Sequence, residues 1–415
     1  TWERPRSTRI MSDELASSRT DRPLRVLALR GLDGTGGGAE HIILQTAAAL
    51  DPQRVQMAIC CLRNRADRLF DLDQRASELG LDYRQVMHSG PLDRSVLSSL
   101  RRVVEQFRPD ILHSHDYKAH FFASRLARRY GLRRLATAHG WTGHHRRERW
   151  IYYPADKLQL SRSPGVIAVS AQIRQTLLRW GARPDRVCVV LNAVDLDQYR
   201  PEETIRREER RDLGIADLQL VLGAAGRVEP QKRFDLLIDA FALLHARRPD
   251  TCLLIAGEGS QTARLQRQIE RQGLGRACRL LGHCPQMSRT YQAFDLLVQS
   301  SDYEGTPTVV VEAMALGVPV VATNVGGTAQ LLEHETHGLL VPRRDSRALC
   351  RAIERTLDDP QTARQRSAAA RQHVASRLSF SQRTRQLERI YAQLADLGRL
   401  SCRRLREDET GRGSG

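Results

Sequence analysis

The chain has 415 residues and a mass of 46.9 kDa, which is too long for one hydrophobic core and suits two domains. A hydrophobic content of 41% with 27% charged residues excludes disordered and collagen-like chains. The net charge of +17 would suit a nucleic acid or an anionic membrane. All but three of the 65 cations are arginine, however, a bias that a GC-rich genome would also produce, so a solvated basic surface is the alternative.

The most apolar stretch, residues 305–323, contains Glu312 and two prolines, so we expect no membrane-spanning helix. The N-terminus shows no apolar segment typical of a secretory signal. These features predict a cytoplasmic protein whose residues 1–20 are disordered or artefactual.

The eight cysteines form no CxxC pair and no zinc-type spacing. They are Cys60, Cys61, Cys188, Cys252, Cys278, Cys284, Cys350 and Cys402. Because most lie in apolar, strand-like runs, we expect buried reduced thiols rather than disulfides or a metal site.

Apolar runs alternate with helical patterns along the first half of the chain. The predicted strands are 24–29, 55–62, 111–113, 135–138, 166–169 and 187–191, and the predicted helices are 38–50, 66–79, 93–107, 118–130 and 171–180. This order favours a parallel sheet covered by helices on both faces.

The polar segment 192–217 is predicted to be a hinge, after which the alternation resumes. The predicted strands are then 220–224, 252–256, 278–281, 295–299 and 318–322, followed by an arginine-rich helical region at 343–397. The last helix, 381–397, is long enough to cross back to the first domain. The expected units are therefore 21–195, 196–375, a crossing helix at 376–400 and a flexible tail at 401–415. Ligands bind such sheets at the carboxyl ends of the strands, so we expect a site between the domains.

The glycine-rich loop Gly34-Thr35-Gly36-Gly37-Gly38-Ala39-Glu40 follows the first strand and begins a helix, where backbone N–H groups can bind phosphate. Its spacing also imitates a dinucleotide fingerprint, although no convincing acidic residue follows at the end of the second strand. A phosphate site, an NAD-dependent oxidoreductase and a turn without a ligand all stay open.

Two cations lie at a strand-to-helix junction of the second domain. Arg227 and Lys232 could neutralise two phosphate charges, or could be surface cations at a helix end. Lys232 is one of only three lysines in the chain, which favours a specific role.

The segment 301–319 contains two spaced carboxylates. Thr306 suits an N-cap, Pro307 a first helical residue and Gly317 a stop, which predicts a helix of about ten residues. Glu304 then lies in the preceding loop and Glu312 in the second turn. Such a pair can accept hydrogen bonds from two groups of hydroxyls on one elongated ligand, while free N–H groups near the helix start attract phosphate. Because the helix is apolar, Glu312 requires a polar partner.

This run, from Glu-Gly-Thr-Pro to Glu-Ala-Met-Ala-x-Gly-x-Pro-Val-Val, resembles the signature of the retaining GT-B glycosyltransferases of family 4. Four further segments are similar to that family: Gly37-Gly38-x-Glu40, 189–201, Gly226-Arg227 to Lys232, and 254–259. The likeness covers residues 24–397 in order. Ala193 departs from it, since the family usually has glycine there.

The resemblance implies an α/β, GT-B fold with two doubly wound Rossmann-like domains facing an interdomain cleft, the first for the acceptor and the second for a nucleotide sugar. The implied catalytic residues are His115, Arg227, Lys232 and Glu304. The implied substrate-binding residues are Gly37, Gly38, His139, Gly305, Thr306, Pro307, Thr308 and Glu312. Glu312 would bind the ribose, Glu304 the sugar hydroxyls, and Arg227 with Lys232 the diphosphate.

No metal or cofactor is expected, because Asp71-Leu72-Asp73 and Asp195-Leu196-Asp197 do not suit a metal site and the cations can stabilise the leaving diphosphate. The resemblance implies transfer of a hexose-type sugar from a nucleotide diphosphate sugar to a hydroxyl of a glycan or lipid-linked acceptor, with retention, in exopolysaccharide or lipopolysaccharide synthesis.

The acceptor side is less defined. Residues 141–153 mix aromatic and cationic side chains, which would suit anionic lipid headgroups or, equally, an exposed helix with some core aromatics. No aromatic-basic sheet motif or recognition helix favours nucleic acid.

Overall fold

The computed structural model describes residues 22–32, 37–67, 72–90, 93, 95–141, 147–216, 218–403 and 405. Several sequence-based predictions lie outside these ranges: the N-terminal segment 1–20, Gly34 to Gly36, Asp71, residues 142–146 and residues 406–415 of the predicted tail.

The first half of the chain forms a seven-stranded, wholly parallel sheet. Its strands are β1 (Leu24–Leu32), β2 (Val55–Asn64), β3 (Asp82–His88), β4 (Ile111–Ser114), β5 (Arg133–Ala138), β6 (Val166–Ala168) and β7 (Val187–Val189). They lie in the order β3-β2-β1-β4-β5-β6-β7. The order reverses between β1 and β4, and open α/β sheets bind ligands at the carboxyl ends of strands at such a point.

Helices cover both faces of this sheet. They are α1 (Gly38–Ala49), α2 (Leu72–Glu78), α3 (Ser95–Phe107), α4 (Tyr117–Tyr130), a π-helical turn (Glu148–Tyr152) that continues into α5 (Tyr153–Ser161), and α6 (Ala171–Arg179). The sheet between them is apolar because its strands are buried on both faces.

The second half forms a six-stranded parallel sheet. Its strands are β8 (Leu220–Ala225), β9 (Thr251–Ala256), β10 (Cys278–Gly282), β11 (Leu296–Gln299), β12 (Val320–Thr323) and β13 (Leu339–Val341), in the order β10-β9-β8-β11-β12-β13. The order reverses between β8 and β11. The loops that follow these two strands contain Lys232 and Glu304.

The remaining helices are α7 (Glu203–Asp212), α8 (Phe234–His245), α9 (Thr262–Arg271), α10 (Met287–Thr290), α11 (Thr308–Ala315), α12 (Thr328–Leu331), α13 (Ser346–Asp358), α14 (Pro360–Arg377) and α15 (Phe380–Leu397). The two-sheet α/β architecture predicted from the sequence is confirmed. The predicted domain limits stay predictions.

Helix α15 packs against the first sheet although it follows the second one in sequence. Its buried residues Leu387 and Ile390 join the core formed by Val26 and Leu135. The buried guanidinium of Arg383 donates from Nη1 to the carbonyl oxygen of Leu191 at 2.6 Å. The end of the chain therefore completes the core of the first domain.

The structure corrects some local predictions. The predicted hinge 192–217 contains a regular helix, α7, whose Arg206 and Arg210 both pair with Asp295. Strands β3 and β13 escaped the sequence analysis, because β3 has a largely half-exposed pattern and β13 has only three residues.

The prediction of reduced cysteines is wrong for one pair. Cys188 on β7 forms a disulfide with Cys402 beyond α15, with 5.7 Å between their Cα atoms. The other six cysteines are free thiols, and five of them are buried as predicted. The pair was missed because the two residues are 214 positions apart, so no local spacing indicates it.

Candidate active site between the two sheets

The loops after β8 and β11 bring two predicted catalytic residues into direct contact. The ammonium Nζ of Lys232 lies 2.8 Å from Oε1 of Glu304, and both side chains are mostly buried. Ser301 donates its hydroxyl hydrogen to the same carboxylate oxygen at 2.6 Å. The arrangement holds a cation and a carboxylate side by side.

Arg227, by contrast, is exposed on the preceding loop, and within the described residues it does not join the Lys232–Glu304 pair. Burial and the nearby carboxylate of Glu304 raise the pKa of Tyr303 to about 12, an effect that the charge of Arg227 opposes. Arg227 therefore lies near the loop that contains Tyr303 and Glu304 without contacting the carboxylate of Glu304.

Glu312 is buried and has the polar partner that its apolar helix required. Tyr291 donates its hydroxyl hydrogen to Oε2 at 2.8 Å, and Tyr199 provides a further hydrogen bond. Burial raises the pKa of Glu312 to about 7, while the tyrosine hydrogen bonds oppose that rise. The sequence did not single out these tyrosines, since they lie 21 and 113 residues from the acid.

The start of α11 differs from the prediction by one residue. The helix begins at Thr308, with Pro307 in the N-cap position, and has eight residues instead of about ten. Thr306 does not cap the helix, because its hydroxyl donates to the carbonyl oxygen of Val169 in the first domain. The predicted stop holds, since Gly317 follows the helix with a φ of +71°.

The first domain contacts this helix start closely. A Cβ atom added to Gly38 would lie only 3.0 Å from Oγ1 of Thr308, so a side chain at position 38 would crowd the helix. In the loop just before this helix, a Cβ atom added to Gly305 would lie 2.9 Å from the carbonyl oxygen of His139. Residues predicted to bind substrate from opposite domains therefore meet at one place.

Two histidines lie at the carboxyl ends of β4 and β5. Nδ1 of His115 is 3.3 Å from Nε2 of His139, and His115 is buried. Burial, together with neighbouring imidazoles and Arg30, lowers the pKa of His115 well below its usual value, and burial does the same for His139. Both rings are therefore neutral near pH 7, and one of the two facing nitrogens donates to the other.

Arg30 links the glycine loop to the histidine loop, and the sequence analysis missed it. Its guanidinium lies 2.6 Å from Oε1 of Glu40 and donates from Nη1 to the carbonyl oxygen of His115 at 2.6 Å. The second carboxylate oxygen of Glu40 accepts the backbone N–H of Gly37 at 2.7 Å. In the sequence, the only feature that could have indicated this role of Arg30 is its position as a charged residue near the end of an apolar strand.

Within the described ranges, no three His, Cys, Asp or Glu side chains are grouped so that they could hold a metal ion. Asp195 instead accepts the backbone N–H of Asp197 at 3.0 Å in a turn. Of the helices that the structure describes, none is both long and apolar enough to cross a bilayer.

Comparison with known families agrees with this arrangement. The model for glycosyltransferase family 4 matches residues 36–198, and that for group 1 glycosyl transferases matches residues 205–373. The chain belongs to the family 4, group 1 glycosyltransferases. It is a glycosyltransferase, and its two-sheet architecture is the GT-B fold. No comparison supports the oxidoreductase alternative.

Two curated relatives and one solved structure illustrate the likeness. The chain is 28% identical over 317 residues to the putative glycosyltransferase EpsD of Bacillus subtilis, which covers 74% of this chain and 82% of EpsD. It is 29% identical over 213 residues to the lipopolysaccharide core biosynthesis mannosyltransferase LpsB of Rhizobium meliloti, covering 50% and 60%. The structure of Anabaena HepE in complex with UDP-glucose superposes with a TM-score of 0.79 at 22% identity, covering 89% of this chain and 100% of HepE.

Proposed function

We propose that this glycosyltransferase moves a hexose-type sugar from a nucleotide diphosphate sugar to a hydroxyl of a glycan or lipid-linked acceptor, with retention of anomeric configuration. The observation that carries the proposal is the contact between Gly305 and the main chain of His139, which brings the Lys232–Glu304 pair to the histidine pair of the first domain.

The donor would lie across this junction. Glu312 accepts hydrogen bonds from the ribose hydroxyls, and Glu304 accepts them from the sugar. The ammonium of Lys232 and the N–H groups at the start of α11 stabilise the charge that develops on the leaving diphosphate. Because these groups supply the positive charge, the proposal includes no metal ion.

Retention requires the acceptor hydroxyl to attack from the face that the phosphate leaves. The bond between the anomeric carbon and the phosphate oxygen breaks as the bond to the acceptor oxygen forms, and the acceptor proton passes to the departing phosphate. A neutral His115 suits a role beside the reacting sugar, because an imidazolium there would compete with Lys232 for the charge of the phosphate.

The biological setting is also a proposal. The likeness to LpsB, named for lipopolysaccharide core biosynthesis, supports a role in cell-surface polysaccharide synthesis. HepE with bound UDP-glucose supports testing a uridine nucleotide first. We place the enzyme on the cytoplasmic side of a membrane, as a peripheral protein.

A donor screen tests the proposal directly. Thermal stabilisation by UDP, GDP and ADP sugars, with EDTA present, should identify one nucleotide, and NMR of the product should show the configuration of the donor. Lys232→Ala should lower kcat/KM about 150-fold, equivalent to about 3 kcal/mol of transition-state stabilisation. Arg211→Ala, an exposed site on α7, is the matched control. Near-parental turnover of the Lys232 variant, or an inverted product, would contradict the mechanism.

A further inference from the structure

The first domain exposes a group of large apolar side chains on one pair of helices. Trp150, Ile151 and Leu158, in the π-helical turn and α5, are 73%, 59% and 41% exposed. On the neighbouring helix α4, Phe121 is 45% exposed. Large apolar side chains that are exposed close together mark interaction surfaces.

These side chains belong to one surface, because α4 and α5 pack side by side. The ring of Tyr152 stacks on that of Tyr117 with centroids 5.5 Å apart and planes 9° apart. One turn along, Gln159 donates from Nε2 to the carbonyl oxygen of His120 at 2.6 Å. The surface formed by the exposed residues of 117–130 and 147–162 is called the aromatic-arginine face below.

The charge on this face has a single sign. Among the side chains described in the two segments, every exposed one is aromatic, aliphatic or arginine. The exposed arginines are Arg125, Arg128, Arg129, Arg147 and Arg162. The guanidinium carbon of Arg125 lies 4.4 Å from the centre of the Phe121 ring. The acids in these segments, Glu148 and Asp156, are half-buried and buried.

We propose that the aromatic-arginine face docks on the surface of an anionic phospholipid bilayer. Aromatic and aliphatic side chains enter the headgroup region, while arginines bind lipid phosphates beside them. A protein partner would also cover apolar groups, but a face with exposed arginines and no exposed acid among the described side chains complements a uniformly negative surface.

The position of the face relative to the active site deepens the proposed function, on which this step rests. Tyr117, at the start of α4, follows His115 by two residues, and its ring is stacked against the face. Docking would therefore place the histidine loop next to the headgroups, where the hydroxyl of a lipid-linked acceptor lies. The acceptor class that fits this geometry is a membrane-anchored glycan or glycolipid.

Sedimentation with vesicles tests the proposal. The full chain should bind vesicles of phosphatidylcholine containing about one third phosphatidylglycerol, bind pure phosphatidylcholine poorly, and release at high salt. The double variant Trp150→Ser with Ile151→Ser, and the variant Arg125→Glu, should each bind about tenfold more weakly. Leu218→Ser is the matched control, because Leu218 is 91% exposed in the other domain.

Each possible result either supports or overturns docking on an anionic bilayer. No vesicle binding by the parent chain, or equal binding by the double variant and the control, would overturn the proposal. A dimer in solution that the double variant dissociates would instead assign the face to a second copy of the chain. The double variant should hydrolyse the soluble donor as fast as the parent chain. If the parent chain itself hydrolyses no donor, the proposed function is refuted, while the result of the vesicle experiment still stands.

Discussion

Replacing Arg30 with methionine would test how the first domain holds its two active-site loops together. Methionine keeps most of the apolar volume but removes the guanidinium that contacts Glu40 and the carbonyl oxygen of His115. The carboxylate of Glu40 is buried and would lose its cation. Breaking a buried ion pair from one side costs about 3–5 kcal/mol.

We expect the lower end of that range, about 3 kcal/mol, because Glu40 keeps the N–H of Gly37 as a hydrogen-bond donor. For a domain of this size, such a loss lowers the melting temperature by roughly 6–12 °C. Burial alone would raise the pKa of Glu40, but the charge of Arg30 and the hydrogen bonds hold it below its usual value. The stabilisation is therefore present at neutral pH and is lost as the pH falls through the lowered pKa.

Differential scanning fluorimetry of four proteins would decide the cause: the parent, Arg30→Met, Glu40→Gln and the double variant. If the uncompensated buried charge of Glu40 is responsible, the melting temperature of the double variant should be higher than that of Arg30→Met. Arg211→Met, at an exposed arginine, should change nothing. Equal melting temperatures for Arg30→Met and this control would refute the reasoning. Strictly additive losses in the double variant would show that the two side chains do not act as a pair.

Three further predictions concern other contacts. If Glu312 binds the ribose as proposed, it does so best when ionised, so KM for the donor should fall as the pH rises through about 7. Tyr291→Phe removes a hydrogen bond that lowers the pKa of Glu312 and should move that transition to higher pH; an unmoved pH profile would contradict the contact. Thiol titration in denaturant without reductant should find six free thiols, and eight thiols in the oxidised parent would contradict the disulfide. Cys188→Ser, which frees Cys402, should lower the free energy of unfolding by about 2–4 kcal/mol. Tyr391→Phe should cost about 1–3 kcal/mol, measured by thermal melting, because it leaves Nδ1 of the buried His113 without its hydrogen-bond partner. No change would mean that this hydrogen bond adds nothing to stability.

Most of the fold could be predicted because its signals are local. A buried parallel strand such as β9 is a short apolar run, and an amphipathic helix such as α3 shows its period within a dozen residues. The elements that the sequence did not predict lack such a run. Helix α7 is so rich in charge that it resembles a linker, and only its packing on Asp295 reveals its role.

The candidate site was predictable to the extent that its residues occur in one stretch of sequence. Glu304 and Glu312 share a motif, and Lys232 lies in a second, so their placement follows from the strand order. Arg30 and Tyr291 were missed for a physical reason: each acts by contacting an acid on another element, ten and 21 residues away, and the spacing of a single arginine or tyrosine does not indicate that contact.

The C-terminal helix shows most clearly why contacts of this kind matter for function. Tyr391 on α15 hydrogen-bonds Nδ1 of His113 at 2.7 Å, and Nε2 of the same ring lies 2.7 Å from Oγ1 of Thr137. His113 lies on β4, two residues before His115, and Thr137 lies on β5, two residues before His139. The buried imidazole of His113 therefore connects the two strands that the histidine pair directly follows, and its ring centre lies 4.2 Å from that of His115. The end of the chain thus supports, from within the core, the geometry on which the proposed reaction depends.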